Sequence, residues 1–307
     1  MADLYRPGAV APTDALLARA SPGGRRGTAI WQSDVLRMFR KSSSAVFGLV
    51  LVALLASAAL LAPVLAPHDP DTIDTARRLA RPLTSGHPLG TDEFGRDLLS
   101  RLLHGARTSL TVGLAATALA ALAGSAAGLL AGLVGRWVDQ AIMRSIDTLM
   151  AFPYFLLAIA IIAALGPGLV NGMIAVAVVN IPFYGRIVRA TVLAVKETEY
   201  VQAARALGVS EMRLSLTHVL RNCLAPLIVA ITLNVGGMIT ALAGLSFLGL
   251  GVQPPVSDWG SMLASSRQYI NVAPHVAALP GLAIFLAVLG FNLLGDGLRD
   301  ALDPRLR

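Results

Sequence analysis

The sequence predicts an all-α membrane protein of six transmembrane helices with one polar hairpin held outside the bilayer, on three observations. Of 307 residues 55% are hydrophobic and 14% charged, with a mean hydropathy of +0.67, unlike the quarter-charged composition of a water-soluble domain. Five windows, 42–68, 108–135, 148–185, 222–257 and 268–295, contain no Asp, Glu, Lys or Arg; a bilayer core of about 30 Å asks for about 20 apolar residues per helix. Between Arg186 and Arg221 the hydrocarbon gives way to a polar segment that reads as helix, glycine turn, helix.

Residues 1–29, rich in Ala, Pro, Gly and Arg, read as a disordered cytoplasmic tail. Ile30, Trp31, Val35, Met38 and Phe39 fall near one helical side with Arg37, Arg40 and Lys41 around them, which predicts an interfacial amphipathic helix over 30–43. The first span, 44–66, is too long for a cleaved signal and is expected to persist as an anchor.

The 67–107 segment is expected outside the cell, ending in a short helix that rests at the outer membrane face, with Leu98, Leu99, Leu102 and Leu103 opposite Arg96, Arg101 and Arg107. Asp92, Glu93 and Asp97 with His87 and His104 are not read as a metal site. The two carboxylates are adjacent, the histidines are far apart, and Gly90 and Gly95 suggest turns rather than a coordination cage.

The second span, 108–134, carries Gly124, Gly128 and Gly132 at a spacing of four on one face, where small residues let two helix backbones approach. A phosphate cradle is disfavoured because no strand precedes these glycines and no Lys-Ser/Thr follows, so no nucleotide site is expected in this chain. The 148–185 window is too long for one span. It is expected to fold back at Gly166-Pro167-Gly168, giving spans at 144–165 and 170–190, with Arg144 and Asp147 as an i,i+3 ion pair near the interface. Spans at 223–249 and 277–297 complete a core domain over 108–298, and 299–307 forms a cytoplasmic tail. Asn171, Asn180, Asn234 and Asn292 are polar groups on or near spans that either line a solute path or bond helix to helix.

Orientation follows from charge. The N-terminal tail carries a net +4 and the 186–221 loop a net +3, while the other loops balance; the positive-inside rule puts both basic segments, and with six spans both termini, in the cytoplasm. Six Lys/Arg in 67–107 count against that assignment. The basic residues flank spans and form no aromatic-studded stripe, so nucleic acid is not an expected partner. One cysteine, Cys223, excludes an intrachain disulfide and a thiol cluster for zinc.

In the loop itself, Val201, Ala204 and Gly208 fall at i, i+3 and i+7, predicting a narrow smooth face fit for a groove. Gly208 is suited to positive φ at the helix end, Ser210 to a cap, and Glu211 to the first turn of a second helix.

Gln202-Ala203-Ala204, then Gly208, then His218-Val219-Leu220-Arg221 resembles the Glu-Ala-Ala coupling loop of ATP-binding-cassette importer permeases. Gln202 stands where the family has glutamate and Arg221 where it has proline, while Glu199 fills an acidic position common in the di- and oligopeptide subgroup. RMFRKSSSAVFGLVLV, GTDEFGRDLLSRLLHGARTSL, LSFLGLGVQPPVSDWGSML and NLLGDGLRDALDPRLR are similar to the second permease subunit of peptide and nickel importers. This likeness covers nearly all of 30–307.

The resemblance implies a type I importer permease fold in a bacterial cytoplasmic (inner) membrane. It implies a homologous second permease as heterodimer partner, two cytoplasmic ATPase subunits that hold ATP and Mg, and an external solute-binding protein, with no cofactor on this chain. It assigns coupling to the 191–222 loop through Glu199, Gln202, Ala203, Ala204, Arg205 and Gly208. The solute would be a peptide, a nickel complex, an opine or glutathione, crossing between the permeases without covalent chemistry. Two other classes fit less well. A secondary transporter would show carboxylates at mid-membrane, and a membrane enzyme would show converging polar groups; the five histidines lie at span ends or in loops.

Overall fold

The computed structural model describes residues 37–302 apart from position 85, and the regular structure among them is helical. The helices are α1 (Ser43–Leu60), α2 (Ala62–Leu65), α3 (Leu98–Val134), α4 (Arg136–Met150), α5 (Tyr154–Leu165), α6 (Leu169–Lys196), α7 (Glu199–Ala206), α8 (Glu211–Leu214), α9 (Leu220–Phe247), α10 (Trp259–Ser266) and α11 (Pro274–Leu302). Residues 37–41 are helical and Ser42 starts a new helix by capping Ala45 N through its Oγ at 3.3 Å. The rest of the expected interfacial helix, the tail over 1–29 and positions 303–307 lie outside the described residues.

Five helices, α1, α3, α6, α9 with the turns before it, and α11, are long and apolar enough to cross a bilayer; α4 and α5 make a sixth crossing only as one broken span, bent by 94°. The single span expected over 144–165 is thus corrected. Pro153 lacks the N–H a continuing helix needs and takes ψ 133, so the chain turns there and α5 runs only 12 residues, roughly 18 Å of helix. Amphipathic α4 packs against the C-terminal half of α6, Ile146 lying against Gly185. Asp147 accordingly pairs with Arg186 of α6, whose NH2 donates to its Oδ1 at 2.6 Å, and not with Arg144 as its spacing suggests. Asp139 receives both Nε and NH2 of Arg189 at 2.5 and 2.6 Å.

A second difference concerns the expected short helix at the outer face. One helix, α3, runs through all 37 residues from Leu98, longer than an apolar layer of about 30 Å requires. No proline interrupts it, and Asp97 caps it, its Oδ2 accepting from Ser100 N at 2.8 Å and Ser100 Oγ at 2.7 Å. Arg96 and Arg101 are buried rather than turned to solvent. They converge on Asp92, whose Oδ2 lies 2.7 Å from Arg96 Nε and 3.4 Å from Arg101 Nε, while Asp92 Oδ1 accepts from Phe94 N and Arg96 N, both at 2.9 Å. Burying these charges is tolerable because each meets its opposite and the carboxylate is also hydrogen-bonded.

The bundle is organised around α3 on α6, the most extensive pairing in the fold. A Cβ added at Gly124 would lie 2.6 Å from Ile181 O, at Gly128 2.4 Å from Gly185 O, and at Gly132 2.6 Å from Val192 Cγ1, so the three glycines form the seam where α6 sits against α3. Alanines 116 and 120, Ile162, Val176, Tyr184, Met238 and Leu245 fill the centre between α3, α5, α6 and α9. The α5–α6 turn falls at Gly166 (φ +91) and Gly168 (φ +145), with Gly168 N donating to Leu250 O at 3.3 Å.

Candidate functional site

Two features hold the polar residues singled out in the sequence: a hairpin beyond the end of α6 and an open cavity among the apolar helices. The hairpin begins as α7 leaves α6, with Val201 N and Gln202 N donating to Thr198 O at 3.1 Å. At its tip Gly208 takes φ +83; Gly208 N donates to Arg205 O at 3.0 Å and Val209 N to Ala204 O at 3.2 Å, closing the helix end. The chain re-enters helix as Leu214 N donates to Ser210 O at 3.0 Å. Its return limb is no separate helix: α8 runs through a wide π turn, Ser215–Val219, straight into α9.

Of the face expected to enter a partner's groove, Val201 and Ala204 turn toward the bundle while Gly208 is exposed. Val201 is fully buried, in an apolar cluster with Val188, Val192, Val195, Val219 and Cys223, and Ala204 beside it is half-buried. That stripe seats the hairpin on its own bundle. The outward face carries Glu199, Tyr200, Gln202, Ala203, Ala206 and Leu207. Leu207 is 85% exposed and Tyr200 48%. Apolar periodicity finds the stripe, but a period alone does not say whether a stripe docks inward or outward.

Polar contacts stiffen the hairpin. Gln202 Nε2 donates to Glu197 O and Oε2, both at 3.3 Å. Asn222 Nδ2 donates to Tyr200 Oη at 3.0 Å, fastening α7 to α9. Across the tip, Arg205 Nε and NH2 donate to Glu211 Oε1 and Oε2 at 2.5 and 3.1 Å. These hydrogen bonds and the charge behind them hold the Glu211 carboxyl below the usual carboxylate range and raise the Arg205 guanidinium.

On the side of the bundle, α5, α6, α9 and α11 line an open cavity of about 460 Å³ whose polar lining is Tyr154, Asn180, Asn234, Thr240 and Asn292, with Phe155 among the apolar walls. No charged side chain lines it among the described residues. Asn180 Nδ2 donates to Tyr154 Oη at 2.9 Å, and Asn234 Nδ2 donates to Tyr184 Oη at 3.2 Å and Asn180 Oδ1 at 3.4 Å. The result is a hydrogen-bonded ladder from α5 across α6 to α9. Asn171 does not belong to it: its Nδ2 donates to Leu165 O and Gly166 O at 2.9 and 3.1 Å and secures the α5–α6 turn. Tyr154, which brings its hydroxyl to the cavity from the start of the short α5, is legible in the sequence only once the break at Pro153 is known.

Residues 124–307 match the model of the binding-protein-dependent transport system inner membrane component, and residues 30–82 match the N-terminal TM domain of oligopeptide transport permease C. The chain belongs to this family of importer permeases. It is 45% identical to the dipeptide transport system permease protein DppC of Alkalihalophilus pseudofirmus, over 89% of this chain and 90% of that one. Against the di/tripeptide transport system permease protein DppC of Pseudomonas aeruginosa the identity is 49%, over 90% and 91%. Against the glutathione transport system permease protein GsiD of Pectobacterium atrosepticum it is 44%, over 90% and 92%. Among solved structures, the MetNI methionine ABC transporter in an inward-facing form shares the fold with a TM-score of 0.54 at 19% identity, covering 66% of this chain and 96% of that one. The permease is thus a multi-pass inner-membrane component of an ABC importer. It is non-catalytic, and ATP hydrolysis rests with partner ATPases.

Proposed function

We propose that the permease forms half of a pathway for di- or tripeptides or a related small solute such as glutathione, with a homologous permease as the other half. Nickel complexes and opines are the remaining members of that solute class. The observation that carries the reading is the uncharged cavity between α5, α6, α9 and α11, with its ladder of amide and phenol groups. Asparagine side chains present the donor and acceptor pair that a peptide bond also presents, and an uncharged wall lets peptides of differing side-chain charge pass. Relatives whose names specify dipeptides, di/tripeptides and glutathione support the same class.

In this reading the hairpin faces the cytoplasm with both termini, and the ATPase subunits grip its outward face at Glu199, Gln202, Ala203, Arg205 and the turn at Gly208, with Ala204 packing behind. Closure of the nucleotide-loaded ATPase dimer then shifts the bundle between inward- and outward-open states, by favouring one state over the other. The external binding protein delivers the solute at the opposite face.

The test is uptake of a labelled dipeptide by the transporter reconstituted with its binding protein. Asn234→Leu should cut uptake by about tenfold while basal ATPase activity and subunit assembly stay intact; unchanged uptake would remove the cavity from the path. For the sidedness, a cysteine placed at exposed Ala206, with native Cys223 buried, should react with an impermeant thiol reagent only from the cytoplasmic side.

A further inference from the structure

The segment between α2 and α3 brings together two histidines and a carboxylate that no step of transport uses. His68 follows α2, His87 lies in a turn, and Asp97 caps α3. Asp97 Oδ1 is 2.9 Å from His87 Nδ1 and 3.9 Å from His68 Nδ1. The two rings stack with centroids 4.7 Å apart and planes at 28°. All three donor atoms lie within 4.8 Å of one another. His104, one residue weighed in the sequence as a ligand, turns away, its Nδ1 bonded to Ser100 O at 2.9 Å.

We propose that His68, His87 and Asp97 form a binding site for a divalent first-row transition metal of the zinc type. Two imidazoles and one carboxylate are a donor set that suits zinc. Tetrahedral bonds of about 2.0–2.1 Å place neighbouring ligand atoms about 3.3 Å apart. The 2.9 and 3.9 Å separations from Asp97 Oδ1 bracket that value, and with all three atoms within 4.8 Å closure draws the two histidine donors together by no more than about 1.5 Å. Asp97 is already oriented through its other oxygen by Ser100 N and Oγ at 2.8 and 2.7 Å, the outer-shell bonding that metal carboxylates use. His87 and Asp97 are buried while the His68 side chain is 42% exposed, which leaves one side for entry and for a water as fourth ligand.

Binding changes the tautomer of His87. Without metal, Nδ1 of His87 donates to Asp97 and its Nε2, 3.3 Å from Arg77 NH1, accepts; with Nδ1 on the metal, the proton moves to Nε2 and Arg77 turns away. Arg77 is half-exposed and has Asp74 at 3.5 Å as an alternative partner. Arg77 therefore competes with the metal, and removing it tightens the site. The effect of an occupied site is to pin the end of the first span to the start of α3.

Cobalt(II), whose tetrahedral complexes absorb visible light, is the probe, added to the full-length permease in its assembled transporter without a histidine tag. The expected result is a visible band at one cobalt per permease that zinc displaces. His68→Ala, at a half-exposed position, should weaken binding by more than about tenfold; His104→Ala should leave it unchanged, and Arg77→Ala should strengthen it. A transporter with no stoichiometric band, a His68→Ala variant that binds as well as the unsubstituted chain, or a His104→Ala variant that loses binding equally would each overturn the site.

Discussion

Arg205 and Glu211 join the two limbs of the hairpin by a two-pronged ion pair, Nε to Oε1 at 2.5 Å and NH2 to Oε2 at 3.1 Å, across the turn at Gly208. Both side chains are exposed, so the pair is a geometric strap more than a source of stability. Its planar fork fixes the angle between limbs as a single-point contact would not. Arg205 thus shapes the tip of the hairpin.

Loss of the strap should be mild and should depend on pH. The Glu211 carboxyl is held below the usual range by its hydrogen bonds from Arg205. The strap's contribution is therefore full above the ordinary glutamate pKa and is lost as pH falls through the lowered value. Glu211→Gln is expected to reduce uptake per ATP hydrolysed by less than about fivefold near neutral pH. High salt should shrink the difference from the unsubstituted chain, because exposed pairs are screened; a salt-independent defect would point to a different role for Glu211.

Gly208→Val should uncouple transport from hydrolysis. At φ +83 a Cβ finds nothing within 4 Å, so the penalty is conformational rather than steric crowding by neighbours. A β-branched residue in that region costs on the order of 1–3 kcal/mol, enough to refold the tip. Gly208→Asn, which tolerates this conformation better, should retain most uptake. Equal loss in both variants would show that the position needs its bare surface and not its backbone angle.

Ala203→Glu should abolish co-purification of the ATPase subunits, since it puts a bulky charge among Tyr200 and Leu207 on the exposed side of α7. Val201→Asp should instead lower the melting temperature of the permease itself, because Val201 is buried against Val188 and Val219 and an unpaired buried carboxylate is strongly unfavourable. A pull-down and a thermal melt on the two variants separate the outward from the inward stripe.

The helical class, the fold-back at Gly166-Pro167-Gly168 and the hairpin turn were readable because each depends on local chemistry: uninterrupted apolar runs, missing N–H groups, permitted positive φ. What could not be read depends on partners distant in sequence. Asp147 looks paired to Arg144 three residues away until α4 is laid against α6, where Arg186 meets it at 2.6 Å. Arg96 and Arg101 look like a solvent face until Asp92 folds back between them. Val201 and Ala204 form a clear stripe, yet only the position of α9 reveals that the stripe faces home. The asparagines divide for the same reason: Asn171 finds carbonyls of its own turn, whereas Asn180 and Asn234 find each other across two helices.

The α3–α6 seam gives the most direct test of the packing. At Gly128 an added methyl would meet Gly185 O at 2.4 Å and Arg189 N at 3.0 Å, both backbone atoms of α6 that no rotamer change can move aside. Gly128→Ala must therefore push α6 away from α3, at about 1–3 kcal/mol for overpacking, although alanine is by itself the better helix former. The sign separates the two effects: propensity alone predicts a higher melting temperature and the seam predicts a lower one. Displacing α6 also moves Arg189 from Asp139 on α4, so the variant should lose transport beyond what its stability implies. A melt in detergent paired with uptake in vesicles reads both, and a stabilised, fully active Gly128→Ala chain would mean that α3 and α6 do not meet at these glycines.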